Sequence, residues 1–254
     1  MPESVWSSRI TQLARRYGLT DEAVERLERL LSLLISDPMA PTAIHDPQRI
    51  IDDHLADALV ALELELVKRA RNLADLGSGA GIPGLPLAIA KPGTEVSLVE
   101  SNLRKCEFLE RTVRHCQLDN VTVIPTRAET WTGGVGKCEL VTARALDSPA
   151  VVAEYAAPLL RVGGALVLWR GRRDRAAETA ATRAMNELGL AQQQIVKVDP
   201  YSGSQRRHLY VILKVKETPS RFPRRAGIAR KKPLGGTLEP RSSERVSASD
   251  RARR

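Results

Sequence analysis

From Asn72 onward, short apolar runs alternate with longer amphipathic stretches, and this rhythm constrains the fold more than any other feature of the chain. Residues 73–76, 95–100, 121–125, 138–143, 165–170, 194–198 and 208–215 have the length and composition of strands. Between them, 102–116, 149–160 and 175–188 carry apolar residues at helical spacing. Five alternating strand–helix units predict a parallel sheet with helices on both faces. The last two runs are separated only by D-P-Y-S-G-S-Q at 199–205, a turn with no room for a helix. They must therefore pair as a hairpin, with one strand antiparallel. The expected fold is α/β: Rossmann-like, with a mostly parallel seven-stranded sheet and an antiparallel last strand. Ahead of it, apolar residues at helical spacing over 7–35, and from Asp46-Pro47 towards Leu66, predict an N-terminal helical cap over 1–70. Residues 71–216 form the cofactor-binding domain.

The first strand runs into Asp75-Leu76-Gly77-Ser78-Gly79-Ala80-Gly81-Ile82-Pro83-Gly84. Glycines at a strand-to-helix turn let the backbone approach a ligand without Cβ clashes. Two nucleotide readings compete. Gly79-Ala80-Gly81-Ile82-Pro83-Gly84 satisfies G-x-G-x-x-G with Glu100 ending the next strand, which suits a dinucleotide and an NAD-linked oxidoreductase. An acid two residues before G-x-G-x-G, followed by a second acid ending strand two, suits S-adenosylmethionine (SAM). Charge favours SAM, because Asp75 would repel a pyrophosphate but attract a cationic ligand. Glu100 can accept both ribose hydroxyls. Ala128-Glu129, after strand three, lies where an adenine would sit.

The chain carries a net charge of +9, unevenly placed. Residues 1–70 hold 8 Lys/Arg against 12 Asp/Glu, whereas 217–254 hold 11 against 4. That last stretch has four prolines and few large apolar residues, so it is expected to be a basic disordered tail that touches RNA and not the cofactor. Apolar runs are too short to span a bilayer, and residues near Met1 lack a signal h-region, so no membrane partner is expected. Three cysteines without a CxxC pair suit a reducing cytoplasm.

With these residues in hand, the chain resembles the bacterial rRNA small subunit methyltransferase G family, also known as glucose-inhibited division protein B. The resemblance covers about residues 28 to 234. It is most specific at D-L-G-S-G-A-G-I-P-G-L-P-L-A (75–88), and continues in R-K-C-E-F-L (104–109), R-A-E (127–129) and V-T-A-R-A (141–145). Further matches are P-L-L-R-V-G-G (158–164), R-H-L (207–209) and F-P-R-R-A-G-I-A-R-K-K-P-L (222–234). It implies a SAM-dependent methyltransferase fold and methyl transfer to N7 of one guanine in 16S rRNA; the small ribosomal subunit is the expected partner, and the chain is expected to act as a monomer. Its SAM contacts fall on Gly77, Ile82, Ala128, Glu129 and Arg144, beside the Asp75, Gly79, Gly81 and Glu100 read from the turn. The chain departs from the family's pattern at Ala40-Pro41, Asp53, Ala58 and Arg170.

Guanine N7 carries an in-plane lone pair and no proton at neutral pH, so its methylation needs no general base. No side chain is therefore expected to act as a proton-transfer catalyst, although Arg144, after strand four, could anchor the base or the SAM side. Its plainer alternative is a surface pair with Asp147 or Glu129. Arg206, Arg207 and His208 at the final hairpin, with Arg224 and Arg225 in the tail, are expected to bind RNA phosphates. His54 reads as a packed cap histidine, and no metal site is expected.

Overall fold

The computed structural model describes residues 3–236. Two helices, α1 (Glu3–Tyr17) and α2 (Asp21–Ser36), open the chain; Thr20 Oγ1 accepts from Ala23 N and caps α2. A broken helix follows, in place of the continuous one expected from residue 46. It comprises α3 (Pro47–Ile50), a π turn (Ile51–Ala56), α4 (Asp57–Leu59), a 3-10 turn (Val60–Glu63) and α5 (Glu65–Arg69). The π turn lies where Arg144 Nη1 donates to the Asp53 carbonyl at 2.6 Å, a side-chain claim on a helix carbonyl of the kind that accompanies widened turns.

Seven strands then form one sheet: β1 (Asn72–Leu76), β2 (Glu95–Glu100), β3 (Val121–Pro125), β4 (Cys138–Arg144), β5 (Leu160–Arg170), β6 (Leu190–Val198) and β7 (Arg207–Lys214). Their order is β3-β2-β1-β4-β5-β7-β6, with β7 antiparallel to both of its neighbours. This is the expected architecture, although β5 and β6 begin several residues before their expected starts. The connecting helices are α6 (Gly84–Ala90), α7 (Leu103–His115), α8 (Pro149–Ala156) and α9 (Arg175–Leu188). Strand order reverses between β1 and β4, so their carboxyl ends bound the crevice where ligands bind in such sheets. Because β7 is antiparallel, its first residues reach that same edge: His208 pairs with Arg170, the last residue of β5.

Successive strand residues feed two separate cores, as a pleated sheet requires. Leu73, Leu98, Leu140 and Val167 pack with the N-terminal helices, α6 and α7. Leu76, Val99, Val141 and Leu168 face α8 and α9. The segment after β7 joins this second core, which corrects the expectation of disorder from residue 217. Phe222 and Ala229 are buried, and a short α10 (Ile228–Lys231) follows a left-handed Gly227. A bidentate pair ties Arg224 to Glu154, whose side chain is 1% exposed. A carboxylate so buried requires a partner, and the segment supplies it. The rest of the expected tail, 237–254, lies outside the described residues. Among the described residues, no helix is long and apolar enough to cross a membrane.

Candidate functional site: two clefts meeting at the glycine turn

The turn after β1 is built from backbone. Gly77 N and Ser78 N both donate to Val99 O, at 2.8 and 3.3 Å, and Ser78 Oγ donates to Asp75 O at 2.8 Å. Gly77 and Gly79 hold φ of +65° and +58°. A Cβ at Gly77 would lie 2.5 Å from Leu146 Cδ1, whereas one at Gly79 would meet nothing closer than Gly77 O at 3.7 Å. Gly79 thus offers open backbone, while a side chain at Gly77 would have to displace Leu146 and hold a left-handed backbone angle. Gly81, expected to touch the cofactor, serves packing instead: it lies on neither cleft, and its Cβ would strike Leu85. Ile82 faces the target-side cleft described below.

Asp75 also departs from its expected role. It is 1% exposed and lines neither cleft. Its Oδ1 accepts from Thr142 Oγ1 at 2.8 Å and its Oδ2 from Gly84 N at 3.2 Å. Burial pushes this carboxyl up to about 7, against those hydrogen bonds. It holds β1, β4 and the start of α6 together and shapes the turn from behind. Charge complementarity assigned Asp75 to the ligand, but an acid sunk this deep cannot reach one.

A first cleft of about 430 Å³ opens beside the turn, between Glu100, Ala128-Glu129 and Tyr155. The two Glu100 oxygens each accept one backbone N–H, from Asn102 at 2.8 Å and Gly79 at 3.1 Å. A carboxylate has about four acceptor positions, so two remain for the hydroxyls of a ribose. Gly227 and Arg230 complete the wall from the C-terminal segment. Gly227 N donates to Glu129 Oε1 at 3.1 Å, and Arg230 Nε donates to Asp147 Oδ2 at 2.6 Å. The C-terminal segment, expected to be a tail apart from the cofactor, therefore lines this cleft. These features fit SAM: the Gly77 backbone at the turn, a carboxylate with spare acceptors, and a slot beyond β3 for a base.

A second cleft, about 530 Å³, lies on the cap side and shares Gly77, Lys105 and Ala145 with the first. Its wall is a charged lattice. Arg144 Nη1 donates to Asp57 Oδ2 at 3.1 Å, and Arg144 Nη2 bonds His54 Nδ1 at 3.1 Å. Arg144 thus faces the cap, not Asp147 or Glu129. Since a guanidinium only donates, His54 Nδ1 is the acceptor and its Nε2–H donates to Thr42 Oγ1 at 2.9 Å. Burial, reinforced by Arg144, lowers the His54 pKa to about 4, so the ring is neutral. Burial also raises Asp57, against the pull of Arg144 and Arg207. Trp169 Nε1 donates to Asp57 O at 2.7 Å and closes the floor.

The residues expected to bind RNA divide. Arg207 and His208 line the second cleft, and His208 Nδ1 lies 2.9 Å from Gly171 O. Arg206 and Arg225 are exposed on the surface and line neither cleft. Arg224 is claimed by Glu154, so the expectation that it meets phosphate is corrected: neutralising a buried carboxylate is its task. Sequence reasoning missed Lys105, Asp53, Asp57, Trp169, Tyr155, Gly227 and Arg230. Only Trp169 and Lys105 carried a usable signal, at the carboxyl end of a strand and in the first turn after one. All three cysteines, Cys106, Cys116 and Cys138, are free and buried.

The sheet order, the inserted antiparallel β7 and the glycine turn define the SAM-dependent methyltransferase class. A SAM-dependent methyltransferase from Aquifex aeolicus superposes with a TM-score of 0.52 at 17% identity, covering 67% of this chain and 94% of its own. The rRNA small subunit methyltransferase G family matches residues 24–210. A ribosomal RNA small subunit methyltransferase G from Chloroflexus aggregans is 39% identical over 223 residues, 85% of this chain and 92% of that protein. One from Pelotomaculum thermopropionicum is 35% identical over 243 residues, 91% of this chain and all of that protein. The chain belongs to the rRNA small subunit methyltransferase G family, a SAM-dependent rRNA methyltransferase family. The dehydrogenase alternative falls with that assignment.

Proposed function

We propose that this chain methylates N7 of a guanine in 16S rRNA, acting in the cytoplasm as a monomer on the small ribosomal subunit. The observation that carries this reading is the junction of the two clefts at Gly77, Lys105 and Ala145. A nucleotide entering the cap-side cleft meets the methyl end of a cofactor lying in the other. Cofactor contacts are assigned to Gly77, Glu100, Ala128 and Glu129, with Gly79 acting through its bond to Glu100, whereas Ile82 and Arg144 line the target-side cleft.

When bound, SAM supplies a methyl group on a cationic sulfur. Held by Gly77, Glu100, Ala128 and Glu129, it would offer that methyl to the N7 lone pair of a guanine in the adjoining cleft, with the carbon–sulfur electron pair left on sulfur. No proton moves, which agrees with a wall whose imidazole is neutral and already donating to Thr42. The chain's task is alignment, with the loss of orientational freedom met at binding. Positive charge passes to the purine, and the Asp53 and Asp57 carboxylates balance the two arginines around it.

Isolated small subunits incubated with the protein and labelled SAM should yield 7-methylguanine on nuclease digestion. Label at any other atom, or none, would refute the target assignment.

A further inference from the structure

Two of the three arginines that line the target cleft, Arg144 and Arg207, are anchored on a single residue of the π turn. The backbone carbonyl of Asp53 accepts from Arg144 Nη1 at 2.6 Å. Its carboxylate Oδ1 accepts from Arg207 Nη2 at 2.7 Å and from the Tyr201 hydroxyl at 2.6 Å. Oδ2 accepts from Arg49 Nη2 at 3.3 Å. Arg207 Nη2 also donates to the Tyr201 oxygen at 3.2 Å, so arginine, tyrosine and aspartate close a three-membered ring of hydrogen bonds. One edge of the Arg207 guanidinium is thereby fixed to the cap. Its Nε, in contrast, is buried without a hydrogen-bond partner and stands 3.8 Å from Asp57 Oδ1. That nitrogen is sealed from solvent on the Asp57 side, so the guanidinium is held from the cap on two edges.

Resting on the methyltransferase reading above, we propose that Asp53 and Tyr201 are positioning residues that lock Arg207 in the pose in which its guanidinium lines the target cleft, ready for an oxygen acceptor of the target nucleotide. An arginine with four rotatable side-chain bonds would otherwise sample many orientations at the mouth of the cleft. Two charge-assisted or phenolic hydrogen bonds on one nitrogen remove that freedom before the substrate arrives. The turn between β6 and β7 brings Tyr201 to the same carboxylate oxygen as Arg207. The cap thus sets the pose of a residue that belongs to the sheet.

The test uses the full-length protein with Asp53→Asn and Tyr201→Phe, each alone and with Arg207→Lys. In nitrogen-15 spectra of the wild type, Arg207 should show separate Nη signals from hindered guanidinium rotation, and Asp53→Asn should merge them. With small subunits as substrate, Asp53→Asn should raise KM about tenfold with a smaller change in kcat, while SAM affinity and Tm hold. Tyr201→Phe should give a smaller rise. Adding Asp53→Asn to Arg207→Lys should cost nothing further, because the group it positions is already altered. Averaged Nη signals in the wild type, an unchanged KM in Asp53→Asn, or fully additive losses would each overturn the assignment. A wild type that methylates no guanine N7 would indict the substrate reading instead, and the spectra would still judge the anchor.

Discussion

The two segments outside the strand–helix core sit on opposite faces of the sheet and complete different clefts. The N-terminal helices pack with α6 and α7; their π turn supplies Asp53 and His54, and the first residue of α4 supplies Asp57, to the target side. The C-terminal segment packs with α8 and α9 and supplies Gly227 and Arg230 to the cofactor side. One is acidic where it meets arginines of the sheet, and the other is basic where it meets Glu154, Asp147 and Glu129. The contrast teaches that a shared scaffold can be specialised at both ends of the chain, each end bringing the charge that the sheet edge lacks.

Variants at the junction should break this division most severely. Gly77→Val places a Cβ against Leu146 at a backbone angle that β-branched residues avoid, so SAM binding measured by calorimetry should vanish. Arg144→Ala should act on the other side only. It strips His54 and Asp57 of their shared donor, and turnover should fall about a hundredfold, in the range seen when one positioned donor is lost, while SAM affinity changes little. A comparable loss of SAM affinity would erase the distinction between the clefts. Arg224→Ala leaves Glu154 buried and unpaired, with an expected loss of about 3–5 kcal/mol of stability in urea titrations.

The gentlest probe concerns the acid behind the turn. Asp75 has an ordinary value of 3.8, raised to about 7 in the fold by burial. A raised carboxyl binds its proton more tightly when folded, so its contribution is present below pH 3.8 and is lost as pH rises to about 7. Asp75→Asn keeps the shape and removes that dependence. Its Tm relative to the wild type should therefore climb between pH 4 and 7 and then level off; a constant difference would mean that Asp75 is not perturbed.

The sheet was legible because each strand writes its two faces as alternate residues, and the glycine turn because positive φ restricts residue choice. The cap-side cleft was not. Arg144 and Asp57 are 87 positions apart, and Arg207 and Asp53 are 154 apart, so no local spacing announces either pair. Asp75 misled because its charge is visible in the sequence and its burial is not. The stretch from residue 217 misled because composition averaged over 38 residues hides three anchors, Phe222, Arg224 and Ala229. Glu100 needed only its place at a strand end.

The division of labour between the two ends is tested most directly by the SAM affinity of a chain ending at Arg225. This truncation keeps the Arg224–Glu154 pair and removes Gly227 and Arg230 from the cofactor wall. Calorimetry should show SAM binding weakened about tenfold or more, equivalent to about 1.4 kcal/mol. Affinity equal to that of the full chain would contradict the account and return the C-terminal segment to the role of a tail.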